Sequence, residues 1–325
     1  MTREQPACYA VRVCLIAMKG KCLAMIRKIL KWIGIVLGSL VGLLALAFIV
    51  LYSIGSAKWN KLHGNYDVPV ETIIVPTDQA SITRGEHIAT IHMCGYCHTE
   101  TLSGQSETVP ALVTLTFPNL TAGGGGIGAT NTDEDWVRAI RHGVGHDSRG
   151  LVMMPARLLY YIGDEDLGAL IAYLKTLPPV DNELPPLNLG PLGRVMLVLV
   201  ELPPEFTTPD ATVIDHGGPR PVTPEPGVTV EYGEYLTHVC TVCHGENFNG
   251  QAMEREGLVP NLTPGGEVAF WTEEEFMTTL RTGVTPGGHQ LNEFMPWKYF
   301  GQMTDDELRA VWLYLQSLPA LEQGN

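Results

Sequence analysis

The chain has 325 residues, 45% of them apolar, and a formal charge of −14. Those figures exclude general disorder and argue against a nucleic-acid binder, which needs a basic face. The charge is uneven: residues 1–31 carry seven Lys/Arg against the single acid Glu4, a net of +6, which leaves −20 on residues 32–325.

The basic leader, residues 1–31, holds Cys8, Cys14 and Cys22. No residue from Trp32 to Ala57 is charged. At about 1.5 Å per residue, such a helix is long enough for a bilayer core of about 30 Å. The pattern predicts a transmembrane anchor over 32–57. The positive-inside rule then puts the leader in the cytoplasm and the acidic remainder on the extracytoplasmic, periplasmic side. A cleaved signal peptide would have an apolar region of only about 7–15 residues, so the anchor is expected to remain. Translation is expected to start at Met18 or Met25, and a start at Met25 removes the three leader cysteines.

Downstream, two motifs share one form: Cys94-Gly95-Tyr96-Cys97-His98 and Cys240-Thr241-Val242-Cys243-His244. C-x-x-C-H is the attachment signature of c-type haem. Two thiols three residues apart on a helical turn reach the two vinyl groups on one porphyrin edge, and the following His turns its imidazole to the iron. Structural zinc also uses Cys and His, but it needs four converging ligands and each motif supplies three.

The surroundings of the motifs repeat as well, as expected for a duplicated unit. Gly85-Glu86-His87 matches Gly233-Glu234-Tyr235, and Gly104-Gln105 matches Gly250-Gln251. Pro118-Asn119-Leu120-Thr121 matches Pro260-Asn261-Leu262-Thr263. Arg141 and Arg281 correspond, as do Met154-Pro155 and Met295-Pro296. Leu167, Leu170, Ile171 and Leu174 match Leu308, Val311, Trp312 and Leu315, the i, i+3, i+4, i+7 face of a buried helix. Thr132, Thr272 and Thr304 precede acidic triplets and predict N-caps. Thr272 with Glu275 and Thr304 with Glu307 fit the capping-box spacing. Pro178 and Pro319 stop the last helices. Little in either copy signals strands.

Each copy resembles a class I cytochrome c domain, and residues 80–322 resemble a membrane-anchored di-haem c-type cytochrome. The expected fold is all-α: a transmembrane helix followed by two helical haem domains in tandem, at 80–178 and 231–322. A linker at 179–230 follows, residues 178–230 hold 12 of the 23 prolines, and the apolar stretch Val195–Val200 is too short to span a bilayer. The resemblance implies two haem c groups, attached through Cys94 and Cys97 and through Cys240 and Cys243. It implies His98 and His244 as proximal iron ligands and Met154 and Met295 as distal ones. Met153 competes with Met154, and His142, His146 and His289 are alternative ligands. Met253, Met277 and Met303 read as packing residues. The carbonyls of Pro118 and Pro260 are implied acceptors for the proximal ring N–H, a bond that fixes the imidazole and raises its basicity. Arg141 and Arg281 are candidates for the haem propionates. Trp136 is matched to Phe276, and Tyr160-Tyr161 to Tyr299-Phe300, as a haem wall or ordinary core. The glycine run 123–126 lacks a following Lys-Ser/Thr and reads as a loop, not a phosphate site.

An iron with both axial positions filled by protein exchanges electrons, and a His/Met pair raises its potential relative to His/His. Electron transfer is therefore the expected function. The expected partners are redox proteins with basic docking surfaces or a larger respiratory complex. The alternatives are a di-haem peroxidase, which needs an open iron, and a cytochrome subunit of a membrane dehydrogenase or oxidase.

Overall fold

A computed structural model describes residues 6–200, 208–253 and 257–324, with side chains from residue 25 onward. The basic leader up to residue 24, with Met18 and its three cysteines, therefore lies outside the described side chains. A helix Pro6–Leu62 contains the uncharged run. Its segment Met25–Leu62 is long and apolar enough to cross a membrane, and none of its most apolar stretch is buried by the rest of the chain. A helix apolar on all faces and uncovered by protein calls for an apolar solvent.

Beyond it the duplicated sequence folds into two helical domains of the same plan. The first has helices Gln79–Ile91, Cys94–His98, Asp133–His142, Ala156–Leu159 and Asp164–Thr176. The second has Val230–Thr237, Thr241–His244, Glu273–Thr282, Trp297–Phe300 and Asp305–Ser317. In each domain the first and last helices cross closely. Gly85 faces the backbone carbonyl of Ala169, Gly233 faces that of Ala310, and a Cβ on either glycine would overlap that carbonyl. The crossing explains why each Gly-Glu-aromatic motif begins with glycine. Leu167, Leu170, Ile171 and Leu174 are buried in the first core, and Leu308, Val311 and Leu315 in the second with Trp312 packed against it.

The N-caps fall where the threonines stand. Thr272 with Glu275 and Thr304 with Glu307 form reciprocal capping boxes, and so does Thr132 with Asp135. The last helices end at Thr176 and Ser317, just before Leu-Pro.

Helices dominate, but the all-α expectation needs a correction: each domain carries a β hairpin. Gln105–Val109 pairs antiparallel with Val113–Phe117, and Gln251–Met253 pairs with Gly257–Val259. The first hairpin is rich in Val and Thr, which suit a pleated surface, and it occupies the stretch between the C-x-x-C-H motif and the Pro-Asn-Leu-Thr loop. A second correction concerns the aromatic match. The short helices Ala156–Leu159 and Trp297–Phe300 correspond, so Leu159, not Tyr161, is the counterpart of Phe300, and both are buried.

The proline-rich linker has structure of its own. Asn188–Leu189 adds a short strand beside Val113–Phe117. Helix Pro191–Leu199 packs against the upper part of the N-terminal helix, where Trp59, Leu189 and Leu197 share one apolar cluster. The apolar stretch Val195–Val200 thus falls mostly on a helix that packs against the N-terminal one.

Candidate functional site

The C-x-x-C-H residues lie on a single helical turn in each domain, Cys94–His98 and Thr241–His244 with Cys240 as its cap. His98 and His244 are both buried. His98 Nδ1 is 2.8 Å from the carbonyl oxygen of Pro118, and His244 Nδ1 is 2.9 Å from that of Pro260. A carbonyl only accepts, so Nδ1 carries the proton and Nε2 keeps its lone pair, the arrangement a metal-ligating imidazole requires. Burial lowers the pKa of both rings against the opposing carbonyl bond, which favours the neutral, ligating form.

The Pro-Asn-Leu-Thr loop is held by residues to which the sequence reading gave no role. Asn119 and Asn261 are buried. Their Nδ2 groups donate to the carbonyls of Val180 and Leu321, at 2.8 and 2.7 Å. Their Oδ1 atoms accept from the backbone of Thr121 and Thr263. Each Asn thus ties the loop to the tail after the last helix and fixes the proline carbonyl opposite its histidine. The repetition of Asn and Thr in both copies was the available signal. The Gly-Gln motif is explained in the same way. Gly104 and Gly250 both adopt φ of +78° and donate to the carbonyls of His98 and His244. Gln105 and Gln251 then bond back to the carbonyls of Cys97 and Val242.

A cavity of 660 Å³ opens in the second domain, lined among others by Cys240, Cys243, His244, Pro260, Phe276 and Met295. That volume falls in the range of cofactor clefts. The motif cysteines, the proximal imidazole and the Met-Pro methionine therefore border one apolar space, as a covalently attached porphyrin requires. His289 borders it too, from an exposed loop. In the first domain Cys94 and Met154 pack against the same core as Trp136, whereas Met153 does not join it and takes a left-handed φ of +68°.

The thiols fit haem attachment better than zinc. Burial, aided by Cys97, pushes the Cys94 thiol up to about 12, and burial with Cys243 does the same to Cys240. A position that opposes a thiolate suits a neutral thioether and disfavours a zinc ligand, which must be ionised. Among the described residues no group of three or more His, Cys, Asp or Glu converges as a metal cage.

Arg281 is not among the residues that line the cavity of the second domain, and both arginines are engaged by acids. Arg141 is fully buried; it pairs with Glu71 and with Asp164 at 2.9 Å, and donates to the Ile162 carbonyl at 3.0 Å. Arg281 pairs with Asp305 at 2.8 Å and donates to the Gly301 carbonyl. Both guanidiniums thus clamp the first-turn aspartate of the last helix, and a propionate there would compete with a carboxylate already bound. His142 is likewise engaged, with Nδ1 3.0 Å from His216 Nδ1 and Nε2 3.3 Å from Glu71.

Comparison with known proteins agrees with this geometry. Residues 80–174 match the family described as cytochrome C oxidase, cbb3-type, subunit III, and residues 230–319 match cytochrome c. The chain is 27% identical to the alcohol dehydrogenase (quinone) cytochrome c subunit of Gluconobacter oxydans (strain 621H), over 76% of this chain and 56% of that protein. It is 28% identical to the protein of the same description from Gluconacetobacter polyoxogenes, over 76% and 58%. A diheme cytochrome c-type protein of Cereibacter sphaeroides is 27% identical over 76% of this chain and 88% of its own length. The chain spans a little over half the length of the two dehydrogenase subunits. The chain thus carries two stretches similar to c-type cytochrome domains after an apolar N-terminal helix, and a relative described as a diheme cytochrome covers most of both.

Proposed function

We propose that the chain is the electron-transfer arm of a membrane dehydrogenase, with both haem domains on the extracytoplasmic side. The comparisons favour this over a free shuttle, because several relatives are described as cytochrome subunits of dehydrogenases. The observation that carries the electron-carrier reading is the same constellation in both domains: C-x-x-C-H on one turn, an Nδ1–H bond to a proline carbonyl, and a Met-Pro before the last helix.

When bound, haem supplies one-electron chemistry. The chain's own residues decide how that chemistry is used. Cys94, Cys97, Cys240 and Cys243 would hold the ring. His98 and His244, in a fixed tautomer, would ligate the irons. Met154 and Met295 would complete the ligand sets, and their thioethers would favour the reduced state. Irons so held would offer peroxide no site, which favours the carrier reading over the peroxidase one. Arg141 and Arg281 act on the fold of each domain, not on the propionates. The acidic outer portion favours donors and acceptors with basic docking faces.

Affinity purification of the full chain from its membranes tests this reading. A dehydrogenase subunit should co-purify, and its substrate should reduce both haems. Isolation of the chain alone, with no membrane enzyme able to reduce it, contradicts the dehydrogenase assignment.

A further inference from the structure

The helix Pro191–Leu199 is amphipathic in an unusual place. Gly193, Val195 and Leu197 are buried in it. Its outer side leaves Leu192 47%, Met196 36% and Leu199 63% exposed, with Val200 at 49% just beyond. Spacings of four and three put Leu192, Met196 and Leu199 on one stripe of the helix, and Val200 follows in extended conformation at its end. The tip of the first hairpin continues the stripe. Val109 is exposed there, and the Ala111 carbonyl accepts from the backbone N–H of Leu192 at 2.9 Å.

The height of this stripe along the anchor helix is fixed by direct contacts. Gly55 lies so close to the Arg194 carbonyl that a Cβ would overlap it. Lys58 Nζ donates to the Leu197 carbonyl at 3.1 Å. The Arg194 guanidinium stands 5.9 Å from the centre of the Tyr52 ring. The helix therefore sits beside residues 52–58, where the uncharged run gives way to Lys58 and Lys61. Tyr, Trp, Lys and Arg gather at the boundary between acyl chains and headgroups because each has an apolar body and a polar tip. Tyr52, Lys58, Trp59 and Arg194 make such a group here.

We propose that Pro191–Leu199 is a second membrane contact, an interfacial helix that lies on the outer leaflet beside the spanning helix. Leu192, Met196, Leu199 and Val200 enter the acyl boundary, while Arg194 and Lys58 meet the headgroup phosphates. The proposal rests on the reading of Met25–Leu62 as a membrane span. A lipid surface is the occupant, because the stripe lies on a helix packed directly against the segment Met25–Leu62, whose own surface needs lipid. The helix would fix the haem domains close to the bilayer instead of letting them swing on a single stalk.

Photolabelling of the full-length holoprotein in phosphatidylcholine/phosphatidylglycerol liposomes with a lipid-dissolved alkyl diazirine, read by peptide mass spectrometry, tests it. The expected result is adducts both in residues 32–57 and on Leu192, Met196 or Leu199, with Val195 and Leu197 spared. A variant carrying Leu192→Gln, Met196→Gln and Leu199→Gln should keep its haem absorbance and its label in 32–57 and lose several-fold of the label in 191–200. Label confined to 32–57 overturns the interfacial helix while leaving the anchor in place. The same pattern with chain-to-chain crosslinks at 191–200 overturns it in favour of a second copy on the stripe. Label in neither segment removes the membrane span and this proposal with it.

Discussion

The hydroxyl of Tyr235, in the second domain, donates to Asp166 Oδ2 in the first at 2.8 Å, and accepts from the Gly163 backbone N–H at 3.2 Å. The last helix of the first domain begins at Gly163 with no capping side chain. Tyr235 supplies the missing link, and a hydroxyl from the other domain closes the first turn. The opposite contact has the same design. His87, the counterpart of Tyr235, bonds Glu307 at 2.8 and 3.0 Å, and Glu307 is the counterpart of Asp166. Arg84 pairs with Asp166, and Tyr232 reaches Glu307 at 3.3 Å. The domains therefore dock through reciprocal, pseudo-symmetric bonds made by duplicated positions.

Tyr235→Phe should remove a cap and an interdomain bond together and leave Asp166 paired with Arg84 alone. Burial first, and Asp166 next, push the tyrosine pKa up, so it is a donor at every pH the protein meets. The expected loss is about 1–3 kcal/mol, the cost of stranding a buried polar group. Denaturant unfolding measures it. A double variant with His87→Ala should show coupling if the two bonds belong to one docking interface.

The positions in this interface were visible in the sequence as a repeat, Gly-Glu-His and Gly-Glu-Tyr, and the glycine already marked a close approach. The reciprocal pairing was not legible. It joins positions 220 residues apart in the chain for His87 and Glu307, and no periodicity reports that. The proximal His–Pro geometry followed from the resemblance. The Asn that holds the loop lacked a titratable or ligating group to draw attention, and its role appears only once Val180 and Leu321 are seen beside it. The propionate role for Arg141 arose because a matching charge looks functional in sequence. The Asp at the start of the last helix was the competing partner, also repeated, as Asp164 and Asp305.

Gly85→Ala and Gly233→Ala should be similarly destabilising, since each methyl meets a helix carbonyl at the same crossing. Overpacking of this kind costs about 1–3 kcal/mol. Thermal unfolding of the holoprotein should show a fall for both. A neutral result at either would mean that the crossing helices separate easily in that domain.

The two matched arginines should differ in consequence. Arg141 is fully buried and pairs with Glu71 and Asp164, which Arg220 also reaches; Arg141→Ala leaves the buried Ile162 carbonyl without its donor, for a loss of about 1–3 kcal/mol. Arg281 and Asp305 are both open to solvent, so Arg281→Ala should cost no more than about 1 kcal/mol. Parallel urea titrations check the asymmetry. Equal losses, or an equal shift in both haem potentials, would restore the propionate role.

Acid should loosen the docking. Burial raises the Glu307 pKa, but the bonds from His87 and the Thr304 backbone outweigh it and hold the carboxyl below its usual range. Its contribution is complete above the ordinary glutamate value of about 4.3 and is lost as pH falls through the lower folded value. His238 stacks on Tyr161 at 3.9 Å across the interface. Its pKa is lowered by burial, against an opposing pull from Glu234. The unfolded chain therefore takes up that proton first, and stability declines as pH drops below about 6.5. Unfolding midpoints should fall from pH 7.5 to 5 and again below 4. His238→Phe, which keeps the stack, should flatten the first step.

Electron transfer by this chain requires two haems held by the duplicated motifs. Pyridine haemochrome quantitation against protein mass, on the parent and on Cys94→Ala/Cys97→Ala and Cys240→Ala/Cys243→Ala variants, measures this directly. Two haems of c type per chain in the parent and one in each variant is the expected result. One haem in the parent, or an unchanged count in either variant, would contradict it.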